Sequence, residues 1–172
     1  MRATHGRRGQ SLLEFTLVGI PMIFVLISIF EIARGMWIYH TLAYAVKEAT
    51  RLAIVKGSSY VYATGGQFVT VGRIVQEVRQ AGVGLPLDDA DSEIWLTSAD
   101  TGVIHCKPAA SCLTNGDRWP PEGVSSRNLP VSIEVVVPFR SALAMFWPIS
   151  GERARVFGVT WLRARSQDLI QF

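Results

Sequence analysis

Histidine and cysteine are scarce in this 172-residue chain, which has three of the first and two of the second. His5 lies in a short basic N-terminal stretch and His40 just past an apolar run, so His105 is the only histidine left to serve as a base in the rest of the chain. No G-x-S-x-G, H-E-x-x-H or P-loop sequence occurs, which removes the hydrolase, zincin and phosphate-cradle readings that such motifs carry. Gly82-Val83-Gly84, followed by Leu85-Pro86, lacks the full dinucleotide fingerprint and reads as a helix stop. Nothing asks for a cofactor or a metal. An anchored enzyme is therefore a poorly supplied alternative, one that a cluster of His105, Asp100 and a serine in a cleft would revive.

A lasting excess of one charge is lacking too. The formal charge is +3, but Arg2, Arg7 and Arg8 all precede Gly9, and setting them aside leaves 14 Lys+Arg against 14 Asp+Glu. The basic residues form a leader and not a face that would bind nucleic acid. At this length the chain holds one ordinary domain plus an appendage.

The two cysteines, Cys106 and Cys112, sit close together in a polar, loop-like stretch, where a local disulfide is the natural reading. Disulfides persist outside the reducing cytosol, so the pair predicts export of the C-terminal part. The zinc alternative, with His105 as third ligand, lacks a second pair of ligands at metal spacing.

From Leu12 to Phe30 only Glu14 is charged, and at about 1.5 Å per helical residue the run spans about 28 Å, enough for a bilayer core. Three arginines precede it, and after it only Arg34 occurs before Lys47, so the positive-inside asymmetry places the N-terminus in the cytoplasm. A cleavable secretory signal is the competing reading. The run is longer than a usual apolar signal core, and Glu31-Ile32-Ala33-Arg34-Gly35 offers no small-x-small site, so the segment is expected to remain as an anchor. Pro21 inside the span is tolerable in a membrane helix.

The stretch Arg7-Arg8-Gly9-Gln10-Ser11-Leu12-Leu13-Glu14-Phe15, followed at once by the apolar run, resembles a type IV prepilin processing site. The resemblance implies a cytoplasmic leader, a prepilin peptidase that cuts between Gly9 and Gln10, and Glu14 as the fifth residue of the mature chain. The Glu14-Phe15 pair resembles the Flp/Tad branch. Glu31-Ile32-Ala33-Arg34 and the Ala-rich helix through Lys47-Glu48-Ala49-Thr50-Arg51 resemble TadE-like proteins. Over residues 7 to 57 the likeness is specific; beyond them only the general layout is similar.

Physical chemistry gives Glu14 a role of its own. A carboxylate in an apolar span costs up to about 2.5–3.5 kcal/mol at a helix centre, less near an end, and such groups usually find a partner. A cut after Gly9 creates one, because the new α-ammonium of Gln10 lies about 6 Å along the axis, within reach in one helix or between neighbouring subunits. The competing reading is a carboxylate that snorkels to the near interface. Glu31 and Arg34, three residues apart at the far edge of the span, read as a local ion pair of little specificity.

Past the membrane, Tyr39, Leu42, Val46, Ala49 and Ala53 continue an apolar stripe at helical spacing, so one rod is expected to run to about Gly57, where Gly57-Ser58-Ser59 ends it. After a loop at Thr64-Gly65-Gly66 a second helix is expected, with Phe68, Val71, Val75 and Val78 on one face. Glu93 to Ser98 and Gly102 to Cys106 read as a hairpin around Ala99-Asp100-Thr101. Cys106 to Asn128 reads as a long loop pinned by the disulfide. Val131, Ile133, Val135 and Val137 alternate as a strand, Phe139 to Trp147 reads as a short helical connection ending at Pro148, and Val156 to Leu162 as a last strand. Trp119, Phe146 and Trp147 suit either a core or a contact with another subunit, and Arg153, Arg155, Arg163 and Arg165 flank the last strand as a solvated edge.

The expected fold is α+β: residues 1–9 a basic leader, 10–35 a transmembrane helix, and 36–172 a periplasmic domain with a second helix and an antiparallel sheet laid on the rod. The resemblance implies a minor pilin or pseudopilin in the bacterial inner membrane, with a cognate prepilin peptidase, other minor and major pilins, and the inner-membrane assembly platform as partners beside the lipid bilayer. An uncleaved envelope adaptor is the alternative.

Overall fold

The computed structural model describes residues 6–56 (backbone alone for 6–11), 65–99, 102–121, 128–142 and 158–171. Helix α1 (Gly6–Val55) is a continuous rod of 50 residues, roughly 75 Å long. Pro21 lies inside it and donates no bond to the carbonyl one turn back, yet the helix runs through. Polar side chains in the apolar half return to their own backbone: the Thr16 hydroxyl donates to the Leu13 carbonyl at 2.9 Å and that of Ser28 to Phe24 at 2.8 Å.

The two halves of α1 bury opposite amounts of surface. Leu12, Phe15, Leu17, Phe24 and Phe30 all stand exposed, with no part of the most apolar window covered by the rest of the protein. Beyond Ile38 the stripe Leu42, Ala45, Val46, Ala49 and Ala53 is buried. Burying a Val or Leu contributes about 1.5–3 kcal/mol, so only the second half is held by the domain. The rod ends where Lys56 donates to Leu52; Gly57-Ser58-Ser59 and Thr64 lie outside the described residues.

Helix α2 (Val71–Ala81) begins later than Phe68. Thr70 is extended and its hydroxyl accepts from the Arg73 N–H at 3.2 Å, an N-cap that shuts the preceding residues out of the helix. Phe68 instead carries the Arg118 guanidinium over its ring. Val71, Ile74, Val75 and Val78 are buried, and Gly82 closes the helix by donating to the Val78 carbonyl at 2.8 Å.

Four antiparallel strands follow, β1 (Glu93–Ser98), β2 (Val103–Cys106), β3 (Pro130–Arg140) and β4 (Val159–Leu169), in the order β2-β1-β3-β4. The inner face, with Ile94 opposite Val135, Leu96 opposite Ile133, and Val135 opposite Ala164, packs against the helices. Trp119 belongs to this core. Phe139 and Arg140 continue β3 where a helical connection was expected; pairing with Thr160 and Val159 of β4 holds them extended. Asp100, Thr101, Phe146, Trp147, Pro148, Arg153, Arg155, Val156 and Phe157 lie outside the described residues. The last strand reaches Leu169, and Arg163 and Arg165 lie within it, Arg163 paired with Glu134 at 3.1 Å. The architecture is α+β.

The strands lie along the rod. Arg140, at the end of β3, meets α1 at Arg34, whereas Gln171, just past β4, donates to the Ile54 carbonyl at 3.2 Å.

Candidate functional site

The apolar run ends at Phe30, and the next two turns of α1 are where the rod meets the domain. The Glu31 carboxylate accepts from the Arg34 guanidinium at 3.3 Å and from the Ala142 backbone N–H at 3.0 Å. Arg34 also donates to the Arg140 carbonyl and stacks on the Phe139 ring, 4.5 Å from its centroid. Phe139 lies over Gly35 as well, at ordinary contact distance from where a Cβ would stand. The expected local pair of Glu31 and Arg34 is thus also a clasp that fastens the end of β3 to the base of the rod.

A second layer of charge extends the clasp. Arg140 meets Asp89 at 3.3 Å and Asp91 at 3.5 Å, and Arg79 of α2 meets Asp88 at 2.9 Å. The Asp91 backbone N–H, with Arg140 beside it, holds the Asp89 carboxyl below its usual range. The turn between α2 and β1 is thereby tied to the same end of the sheet, and Trp37 packs against its Gly84.

Gly9 and Gln10 fall within the first turns of α1, and Glu14 lies one turn after Gln10 with its side chain exposed, as is that of Phe15. Cys106 and Cys112 form a disulfide with Cα atoms 5.9 Å apart, which ties a short 3-10 turn (Ala109–Cys112) to β2 and takes both sulfurs away from any metal. His105 lies on the outer face of the sheet, stacked on Trp95 at 3.7 Å and 3.4 Å from Glu93. Asp100 is outside the described residues, and among them no group of three His, Cys, Asp or Glu is placed to hold a metal ion.

One further concavity, of about 830 Å³, lies between α1 and β4. Tyr44, Lys47, Arg51, Arg165 and Asp168 line it. Lys47, Arg51 and Arg165 stand there with Glu48 and Asp168, so charges of both signs share one concavity.

The sequence patterns missed Phe139, Arg140 and Ala142 as partners of Glu31 and Arg34. More than a hundred residues separate the two sides, and no local periodicity reports a contact of that range.

Residues 9–51 match the sequence profile of the family described as TadE-like protein. This stretch of the chain is TadE-like. The TadE-like match begins at Gly9, takes in Glu14, the exposed apolar half of α1, Glu31 and Arg34, and ends at Arg51 in the part packed on the sheet. It leaves out α2 and all four strands. No curated protein and no solved structure matches the chain. The match covers 43 of the 172 residues, a quarter of the chain. Among the described residues, α1 is the one helix long and apolar enough to cross a membrane, and its apolar window is uncovered.

Proposed function

We propose that this chain is a prepilin-like minor pilin or pseudopilin of a Flp/Tad-type pilus, cut between Gly9 and Gln10 by a prepilin peptidase and held in the inner membrane with its domain in the periplasm until assembly. The observation that carries the reading is the TadE-like match beginning at Gly9, with Glu14 five residues into the chain that such a cut would leave. Two features support it. The apolar half of α1 is uncovered along its whole length and so is available to lipid first and to like helices afterwards. The arginines before the span favour a leader on the cytoplasmic side, where the cut would occur.

The work of such a protein is structural. Its partners are the peptidase, other minor and major pilins, and the membrane assembly platform. A carboxylate at Glu14 paired with a new α-ammonium at Gln10, in its own helix or a neighbour's, would set helix register when subunits leave the bilayer.

The test is the intact mass and N-terminal sequence of the protein recovered from membranes that contain the native peptidase. A start at Gln10 establishes processing. A start at Met1, with the peptidase shown active on its major pilin, rejects the processed-pilin reading in favour of an uncleaved envelope adaptor.

A further inference from the structure

We infer that the domain is seated on the bilayer: Met36, Trp37 and the turn at Val83 form an apolar underside that occupies the phospholipid headgroup layer where α1 leaves the membrane. This rests on the membrane-spanning reading of α1 and not on its processing.

The level of these residues follows from the rod. Trp37 lies seven residues beyond Phe30, roughly 10 Å along the axis. Helical side chains lean back toward the N-terminus, which carries the indole several ångströms toward the membrane. The headgroup layer is about 5–7 Å thick on each side of the hydrocarbon core, and it is where Trp and Tyr gather. The indole therefore reaches that layer.

Trp37 brings part of the domain with it. The tip of its ring, Cη2, lies 3.2 Å from where a Gly84 Cβ would stand, so the turn between α2 and β1 is packed on the indole edge. Gly84 has φ +84°, a conformation that favours glycine and lets the turn fold tightly there. Beside it Val83 stands 70% exposed, with Met36 and Trp37 each more than half exposed. In water these exposed apolar side chains gain nothing; at the edge of a bilayer they continue the lipid-facing surface of the rod.

The clasp fixes the height. With Arg34 on the Arg140 carbonyl and Glu31 on the Ala142 N–H, the domain cannot lift off the base of the helix without breaking these bonds. The charges around the underside are paired, Arg34 with Glu31, Arg79 with Asp88, and Arg140 with Asp89 and Asp91. Among the described residues, three cations against four carboxylates give no net attraction for anionic lipid, so the surface suits a zwitterionic interface and its seating should not depend on lipid charge.

The test places a spin label at Val83→Cys in the full chain, reconstituted in phosphatidylcholine vesicles. Cys106 and Cys112 are bonded to each other, so the new thiol is the one labelled. Labels at Met36→Cys, at Ile23→Cys in the span and at Val103→Cys give the scale. Val103 is 53% exposed and pairs, through Thr97 and Ser132, at a level eight β3 residues from Arg140, roughly 26 Å away. Collision with a water-soluble nickel chelate is expected to be at least threefold lower at Val83 and Met36 than at Val103, and to change less than twofold when one fifth of the lipid is phosphatidylglycerol. Should Val83 be as accessible as Val103 while Ile23 reports hydrocarbon, the span stands and the seated domain is wrong, whatever Met36 reports. Protection at Val83 that appears only with phosphatidylglycerol would equally overturn the zwitterionic surface.

Discussion

The Glu31 carboxylate accepts a hydrogen bond from the Ala142 backbone N–H at 3.0 Å, joining the first turn of α1 past the apolar run to the end of β3. Arg34 completes the join with a bond to the Arg140 carbonyl and a cation–π contact to Phe139. Each interaction is modest at a half-exposed position. Together they fasten to the domain the base of the rod, which lies below the stripe already buried in the core. Arg34→Ala is expected to destabilise the domain by about 1–2 kcal/mol in the detergent-solubilised protein. Arg34→Lys should recover less than half, because an ammonium can still donate but lacks the planar face that lies on Phe139 and the fixed guanidinium fork. Equal stability of all three proteins in a denaturant titration would show that the clasp adds nothing.

Gly72 makes a closer demand. Its N–H donates to the Asn115 carbonyl at 2.8 Å, and a Cβ there would lie 2.4 Å from the Leu113 carbonyl oxygen. Alanine favours a helix interior over glycine by about 1 kcal/mol, but backbone oxygen cannot swing aside as a side-chain tip can. Gly72→Ala should cost 2 kcal/mol or more net. Gly116→Ala, with nothing within 4 Å, should leave the unfolding midpoint where it was.

These two cases show why part of the fold was legible in the sequence and part was not. Val71, Val75 and Val78 announced α2 by spacing, and β1 was read to the residue as Glu93–Ser98, because in both a repeating apolar position meets one core. The disulfide was read from two cysteines in a polar stretch. Phe139 and Arg140 were misassigned because their extended backbone is set by pairing with Thr160 and Val159 of β4 and by the Arg34 contact from α1, and not by their immediate neighbours. Phe68 was placed in a helix because its spacing fits, and the Thr70 cap overrules spacing. Gly72 carries no pattern at all, since its constraint comes from a loop carbonyl. At the N-terminal motif the reverse holds: its meaning comes from order along the chain, and the fold adds only that Gln10 and Glu14 stand one turn apart.

The Cys106–Cys112 bond closes a loop of seven residues and keeps the 3-10 turn against β2. On the chain-entropy account so short a loop contributes about 2 kcal/mol. The double variant Cys106→Ser/Cys112→Ser should lose about that much, while remaining folded, and addition of a reductant should shift the parent protein's unfolding midpoint but not the variant's. A midpoint insensitive to reductant in the parent would place the bond outside the cooperative unit.

Glu93 links the ends of β1 and β2. Its carboxylate accepts from Lys107 at 2.7 Å, with His105 at 3.4 Å, and the Lys107 hydrogen bond is the main reason its pKa is lowered from 4.5. A depressed carboxylate stabilises the fold above its unfolded pKa and loses that contribution as pH falls through the folded value. Asp89, lowered from 3.8, acts in the same direction. Stability should therefore hold from about pH 8 down to about pH 5 and decline below pH 4.5. Lys107, raised from 10.5 by the same bond, gives the mirror case, lost as pH climbs past that range. Glu93→Gln should lower the neutral-pH plateau slightly and shrink the acid decline. An acid limb unchanged by that substitution would assign it to other carboxylates.

Processing and assembly are separable at Gly9 and Glu14. If the peptidase reads the residue before the cut, Gly9→Val leaves full-length precursor in the membrane with its insertion intact, because the apolar run and the arginines before it are untouched. Glu14 lies past the cut and exposed on the rod, so Glu14→Ala should still be cleaved, and the apolar substitution should if anything favour the bilayer. What it removes is the partner for the α-ammonium at Gln10. The processed variant is then expected to stay in the membrane fraction, with its content in sheared pili, or in the isolated assembly complex, reduced at least tenfold. Gln at this position, which keeps a hydrogen-bonding group and loses the charge, decides what the carboxylate contributes: failure like that of Ala assigns the effect to charge pairing, and recovery assigns it to hydrogen bonding. Normal uptake of the Ala variant would leave Glu14 as a group that merely snorkels to the interface, and the register argument would fall with it.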